Sequence, residues 1–212
     1  RQGHEYVQHV PRSQVVQQTD RRLAGGTGHE YINMCCMFNG ASSFNQPLSD
    51  WPVDNVTNMC NIFWDAKSFN QPIGGWRVDN VTAFQGMFNG AKSFNQPIGD
   101  WRVASATDMS WMFHRASAFN QPIGKWQVDN VTNMHRMFEG AKWFNQPLSD
   151  WRVDSVTDMH TMFEGASSFN QPIGSWRVEN VTNMRMMFSH AESFNRPLND
   201  WRVVKVTDMG GM

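Results

Sequence analysis

Cysteine and histidine recur in this sequence at a spacing that could bring their side chains together. Cys35 and Cys60 are 25 residues apart, and so are His135 and His160. If residues 25 apart lie side by side, the cysteine Cα atoms are about 5 Å apart and within reach of a disulfide. Two free thiols are equally compatible with this spacing. A shared metal normally needs a third protein ligand, so we predict no metal site at the two histidines.

Arginine recurs at the same spacing between two columns of acidic residues, where a column is the set of residues 25 apart. These arginines are Arg77, Arg102, Arg152, Arg177 and Arg202. In one interpretation, the arginines and the flanking carboxylates neutralise one another along the stack. In the other, the guanidinium groups bind carboxylate or sulfate groups of a ligand. The acids offset the arginines, so no nucleic acid is expected as a partner.

Three tryptophans, Trp64, Trp111 and Trp143, lie outside the main tryptophan column. We expect them to be partly exposed. Exposed tryptophan is typical of protein contacts, so these residues and the five arginines form the candidate partner surface. Chance drift of a repeat would explain the same tryptophans equally well.

A strict repeat must position all of these residues. Tryptophan occurs at 51, 76, 101, 126, 151, 176 and 201, and Phe-Asn-Gln-Pro recurs at the same period. A fixed period of this length predicts stacked units that bury their apolar faces against their neighbours. The aromatic columns are therefore predicted to be core. One invariant amide column is predicted to be a hydrogen-bonded ladder between units: Asn45, Asn70, Asn95, Asn120, Asn145, Asn170 and Asn195.

Each unit is predicted to contain one short strand and one short helix. The alternation of polar and apolar residues over 50–54 indicates a strand. A helical stripe follows, formed by Val56, Met59, Ile62, Phe63 and Ala66. The predicted fold class is therefore an α/β repeat, a solenoid of about eight 25-residue coils with parallel strands.

The chain is predicted to have two parts. Residues 1–30 lack Phe and Trp, but Gly-His-Glu-Tyr at residues 3–6 returns at residues 28–31. We interpret residues 1–30 as a degenerate leading coil or N-terminal cap, and residues 31–212 as the solenoid, truncated mid-repeat. A chance match in a linker is the alternative. We expect the sequence to be part of a longer protein.

The composition argues against several functional classes. The formal net charge is −1, and no apolar run is long enough to span a membrane. Phosphate-binding loops, catalytic triads and metal-ligand clusters are not recognisable. We therefore predict no catalytic residues, no cofactor, and a chain that is not an enzyme.

The repeat M-F-x-G-A-x-x-F-N-Q-P-I/L-x-x-W-x-V-x-x-V-T-x-M resembles that of BspA-type leucine-rich-repeat surface proteins, and especially a family of mycoplasma lipoproteins. The resemblance covers about residues 29–212. It implies a leucine-rich-repeat-like solenoid at the cell surface or outside the cell, with adhesion or protein-binding roles and no catalytic residues. The signal peptide and lipidated cysteine of the lipoproteins are not found in this sequence.

Together these features predict a non-enzymatic protein-interaction or adhesion module. The alternative is a structural or linker subunit of a larger multiprotein assembly. In both cases the partners are proteins.

Overall fold

The computed structural model describes residues 32–212, and the predicted leading coil or cap of residues 1–30 lies outside this part. Strands β1 (Ile32–Asn33) and β2 (Val56–Asn58) pair in parallel, with an irregular register between the two residues of β1. Single parallel bridges continue this pairing at one position per coil, from Asn58–Ala83 to Asn183–Asp208. Each residue of the stack therefore lies beside the residue 25 positions later, as the period predicted.

The predicted fold class is wrong in its secondary structure. Residues 32–212 contain no helix, and β1 and β2 are their only strands of two or more residues. The chain is therefore not an α/β leucine-rich-repeat solenoid with a helix in each coil. It follows that no described residue belongs to a helix that could cross a membrane.

Hydrogen bonds between coils take the place of the predicted helix. In residues 59–66, alternate backbone N–H groups donate to carbonyl oxygens of the next coil at 2.7–3.0 Å. The donors are the N–H groups of Met59, Asn61, Phe63 and Asp65. Of the N–H groups between them, those of Ile62, Trp64 and Ala66 donate to carbonyls three residues back. The N–H group of Cys60 donates to Asn58 Oδ1 at 2.9 Å. Asn61 and Asp65 have left-handed φ angles of 53°. An α-helix would direct every N–H group to its own coil, four residues back, so this segment is a series of turns.

The predicted strand at residues 50–54 is also absent. Its inward and outward alternation is correct, since Val53 is buried and Pro52 and Asp54 are exposed. Side chains of the next coil, however, bind carbonyls in this part of the repeat. The Trp76 indole donates to Leu48 O at 2.9 Å, and the Asn80 amide donates to Asp54 O at 2.8 Å. These carbonyls thus gain partners without a regular β-ladder.

The core consists of aromatic columns, as predicted. Phe113 stacks on the equivalent phenylalanines of both neighbouring coils at 5.6 Å between ring centroids, and on Phe119 of its own coil at 3.9 Å. Trp101 and Trp126 stack at 6.4 Å in the tryptophan column. The phenylalanines from Phe63 to Phe169 in both columns are fully buried. Burial of this apolar surface is the main force that holds the coils together.

The asparagine column forms a ladder in which the side chain is an acceptor. Asn120 Oδ1 accepts from the backbone N–H of Asn145 and from the side-chain amide of Gln146, both at 3.0 Å. The same arrangement runs from Asn45 to Asn145. At the last step, Asn170 Oδ1 accepts from the Asn195 N–H, and Arg196 donates to the backbone carbonyl of Asn170. The side-chain donor to the neighbouring coil is the glutamine after the asparagine, as in Gln146.

Candidate functional site

The five predicted arginines lie on one outward face of the stack, which we call the charged face. Arg77 contacts Asp54 of the preceding coil at 3.4 Å, and Arg177 contacts Asp154 at 3.5 Å. Each such pair joins an acidic residue to the arginine 23 positions later. The other pairs are Arg102 with Asp79 at 3.6 Å and Arg152 with Asp129 at 3.4 Å.

These pairs neutralise charge but add little stability. The arginine side chains are 71–84% exposed, and ion pairs of this exposure contribute about 0–1 kcal/mol each. Arg202 lies on the same face without an ion pair to a described carboxylate within 4.0 Å. Where the pairs form, each arginine already contacts a carboxylate of the protein. A charged ligand at these positions would have to compete with the existing ion pairs.

At one coil, neither residue of the pair is charged. Ala104 occupies the position of the acidic residue, and Gln127, 23 positions later, occupies the position of the arginine. Both charges of the pair are therefore missing. A shallow cavity of about 400 Å³ opens at this point, and we call it the notch. It is lined by Asp79, Gly99, Asp100, Trp101, Arg102, Val103, Ala104, Lys125 and Gln127.

The notch combines an apolar floor with a charged rim. Trp101 and Val103 are buried beneath it, whereas Asp100, Arg102 and Lys125 are exposed. Lys125 stands in a column that is otherwise acidic, Gly or Ser, and it makes no ion pair within 4.0 Å to a carboxylate of residues 32–212. Its ammonium group is therefore available to an external acceptor.

The three unusual tryptophans do not form one surface. Trp64 and Trp111 are half-buried, and their rings pack at 6.3 Å across the coil between them. Gly86 leaves room for this contact, since a Cβ atom there would come within 3.1 Å of the Trp64 ring. Trp143 is 66% exposed and is the tryptophan best placed to contact a partner.

A polar network beside Trp111 was missed by the sequence analysis. The His114 ring lies 2.9 Å from Asn89 Oδ1 and 3.2 Å from Glu139 Oε1, and Arg136 donates to Glu139 Oε2 at 2.9 Å. Burial by itself raises the pKa of Glu139, but His114 and Arg136 outweigh burial and hold the pKa below its usual value. The sequence does indicate this network, because Asn89, His114 and Glu139 are 25 residues apart and therefore occupy a single column.

The two histidines that the sequence singled out stack with ring centroids 4.7 Å apart. The Trp111 indole N–H donates to Nε2 of His135, and His135 Nδ1–H therefore donates to Asn133 Oδ1 at 2.8 Å. Burial and the neighbouring His160 hold the pKa of His135 below its usual value. Asp158, which the sequence analysis did not connect with them, lies 2.8 Å from His160 Nδ1.

Ring spacing argues against a shared metal at this pair. Equivalent nitrogens of two parallel rings are about as far apart as the ring centroids. A cation between them would then lie about 2.3 Å or more from each nitrogen, whereas zinc–nitrogen bonds are about 2.0–2.1 Å. The rings would have to tilt toward each other, so we assign no metal site to this cluster.

Cys35 and Cys60 are joined by a disulfide, with Cα atoms 4.7 Å apart. Cys36 is exposed and carries a free thiol. The cysteines lie in the first two described coils, well separated along the sequence from the notch.

The search of curated proteins found no match. A family model described as "Mycoplasma protein of unknown function, DUF285" matches residues 29–126 and again residues 107–212. These matches span most of the chain and the whole of the described stack, and the chain therefore belongs to this family of unknown function.

Proposed function

We propose that the chain is a non-enzymatic protein-interaction module that binds a segment of a partner protein at the notch. The observation that carries this proposal is the coincidence of the missing Ala104–Gln127 charge pair with the cavity of about 400 Å³. Elsewhere on the charged face, four arginines pair with aspartates, and among residues 32–212 Arg202 is the one arginine of the five without such a pair. A partner therefore gains most where this pairing stops.

The notch fits a short polypeptide segment better than a small charged ligand. Its volume is at the low end of ligand pockets, and its open shape favours a few side chains from an extended segment. Trp101 and Val103 supply an apolar floor, and the Gln127 amide supplies both a donor and an acceptor for a peptide group. Lys125 adds a free cation, so we propose that the bound segment carries an aspartate or glutamate opposite Lys125.

The resemblance to BspA-type surface proteins supports an adhesive role at the cell surface for this module. Trp143 is compatible with a second contact, since exposed tryptophan is frequent among residues that dominate binding energy. Trp143 offers contact area without a reactive group, and the resemblance implies no catalytic residues, so both favour binding over catalysis.

The decisive experiment closes the notch without disturbing the core. In the double variant Ala104→Asp with Gln127→Arg, the missing charge pair is restored on exposed positions. A matched control, Asp154→Ala with Arg177→Gln, removes a pair two coils away. Both variants and the wild type are immobilised and exposed to proteins of the native source, and bound proteins are identified by crosslinking and mass spectrometry.

We expect at least one protein to bind both the wild type and the control. Its affinity for the closed-notch variant should be lower by about tenfold or more, which is equivalent to about 1.4 kcal/mol of binding free energy. Lys125→Glu should cause a similar loss. If no protein distinguishes the closed-notch variant from the control, the notch is not the binding site. A partner that stays in a fixed stoichiometric complex through purification, regardless of the notch, would favour the structural-subunit alternative.

A further inference from the structure

All three cysteines of the chain lie in one place. The sequence contains only Cys35, Cys36 and Cys60, and their three Sγ atoms lie within 4.8 Å of one another. The free Cys36 sulfur is 3.4 Å from the sulfur of Cys35, which belongs to the disulfide. The Cys36 sulfur therefore lies beside the bridge, in contact with Cys35 and within 4.8 Å of Cys60 Sγ, and a thiolate that moves into line with a disulfide can exchange with it.

We propose that this cluster is a thiol–disulfide exchange site, in which Cys36 takes the place of Cys35 in the bridge to Cys60. The Cys36 thiolate attacks Cys60 Sγ and a new sulfur–sulfur bond forms between them. The Cys35–Cys60 bond breaks, and Cys35 leaves as a thiolate that takes up the proton lost by Cys36. One disulfide and one thiol are present before and after the step, so no oxidant or reductant is consumed.

The backbone places Cys36 within reach of Cys60. The Cys36 N–H donates to Cys60 O at 2.9 Å, so the two residues are neighbours across the two coils. The bridge can therefore move by one residue without a shift of the stack. A bridge between Cys35 and Cys36 would instead close a small ring over a single peptide bond, which strongly distorts disulfide geometry.

Exchange changes which thiol the surface presents. Cys36 is exposed and Cys35 is half-buried, so the Cys35–Cys60 form offers an accessible thiol and the Cys36–Cys60 form offers a shielded one. The cluster thus sets the availability of a covalent attachment point for partner molecules that carry a thiol-reactive disulfide. This inference is independent of the notch.

Mapping the free thiol tests the exchange. The full chain, purified without reductant, is held at pH 5 or at pH 8.5, quenched in acid, alkylated with a maleimide and digested with pepsin. Tandem mass spectrometry then locates the label. Because the thiolate is the attacking species, we expect the label on Cys36 at pH 5 and on both Cys36 and Cys35 after incubation at pH 8.5. Label confined to Cys36 at both pH values would overturn the proposal, and so would label on Cys60 in place of Cys35, because Cys60 is released only when Cys35 is the sulfur attacked.

Single variants test the reach of Cys36 separately. Cys35→Ser leaves only Cys36 and Cys60, and we expect it to form their bridge under mild oxidation, with no thiol remaining in a colorimetric assay. The control Cys60→Ser, which leaves adjacent cysteines, should keep two thiols. Retention of two thiols by Cys35→Ser, with an unchanged circular dichroism spectrum, would exclude the Cys36–Cys60 bridge.

Discussion

The acceptor role of the asparagine ladder can be tested at its centre by two substitutions of Asn120. The two hydrogen bonds that reach Asn120 Oδ1 come from Asn145 N–H and the Gln146 side chain, both at 3.0 Å. Among the hydrogen bonds of residues 32–212, none is donated by Asn120 Nδ2. An oxygen at this position should therefore suffice, whether it belongs to an amide or a carboxylate.

The expected magnitudes follow from these two bonds. Asn120→Ala removes both acceptor contacts and leaves the half-buried Asn145 N–H without a partner, at a cost of about 1–3 kcal/mol in the free energy of unfolding. Asn120→Asp keeps an acceptor in the same place, so its cost should be below about 1 kcal/mol. Asn45→Ala removes the same contacts at an exposed position, where water replaces them, and should cost less than Asn120→Ala.

Urea unfolding monitored by tryptophan fluorescence at pH 7 measures all three variants against the wild type. The unfolding slope should stay constant, so that the midpoint reports stability. If Asn120→Asp is as destabilising as Asn120→Ala, the amide nitrogen has a structural role and the acceptor interpretation is refuted. It is also refuted if Asn120→Ala unfolds at the wild-type midpoint.

Three further predictions concern charge, packing and the indole hydrogen bonds. The lowered pKa of Glu139 means that its stabilising effect is present above the usual carboxyl pKa and is lost as the pH falls through the folded-state value. Glu139→Gln should therefore lower the urea midpoint at about pH 7, and its difference from the wild type should shrink as the pH is lowered toward about 3. Phe113→Leu, within a fully buried aromatic stack, should cost about 1–3 kcal/mol, and the same change at the half-buried Phe194 should cost less, as calorimetry can show. Trp126→Phe removes the indole donor to a carbonyl of the preceding coil and should cost about 1–2 kcal/mol, whereas Trp143→Phe should leave the melting temperature unchanged.

The period and the core could be predicted because aromatic residue types recur in register. Helix could not be excluded, because the spacing of Met59, Ile62 and Phe63 buries the same side chains in a helix and in a series of turns. Left-handed residues in each coil are what rule out a helix. Gly40 and the equivalent glycines are compatible with a left-handed φ and so indicate it in part. Trp111 and Arg136, however, adopt similar φ angles although their residue types do not predict them.

Part of the candidate site was visible in the columns. The arginine and acidic columns identified the charged face, and the paired loss at Ala104 and Gln127 could be read from them. Two facts needed the structure, however. Four arginines pair with the acid 23 positions earlier, and only Arg152 also reaches a sequence neighbour, Asp154, at 4.0 Å. A cavity opens where both residues of one pair are uncharged. Trp64 and Trp111 could not be separated from Trp143 without knowing that they pack against each other across Gly86.

Backbone N–H groups in the turn segments of residues 32–212 donate to the next coil at every second residue, and they do not form helices. Scalar coupling across hydrogen bonds, measured by NMR on the isotope-labelled and deuterated chain, tests this arrangement most directly. In the buried coil at Phe113, the N–H donates to Met137 O of the next coil at 2.9 Å. We predict a coupling between the Phe113 nitrogen and the Met137 carbonyl carbon, whereas a coupling to the carbonyl carbon of Met109, four residues earlier, would indicate a helix and contradict the account.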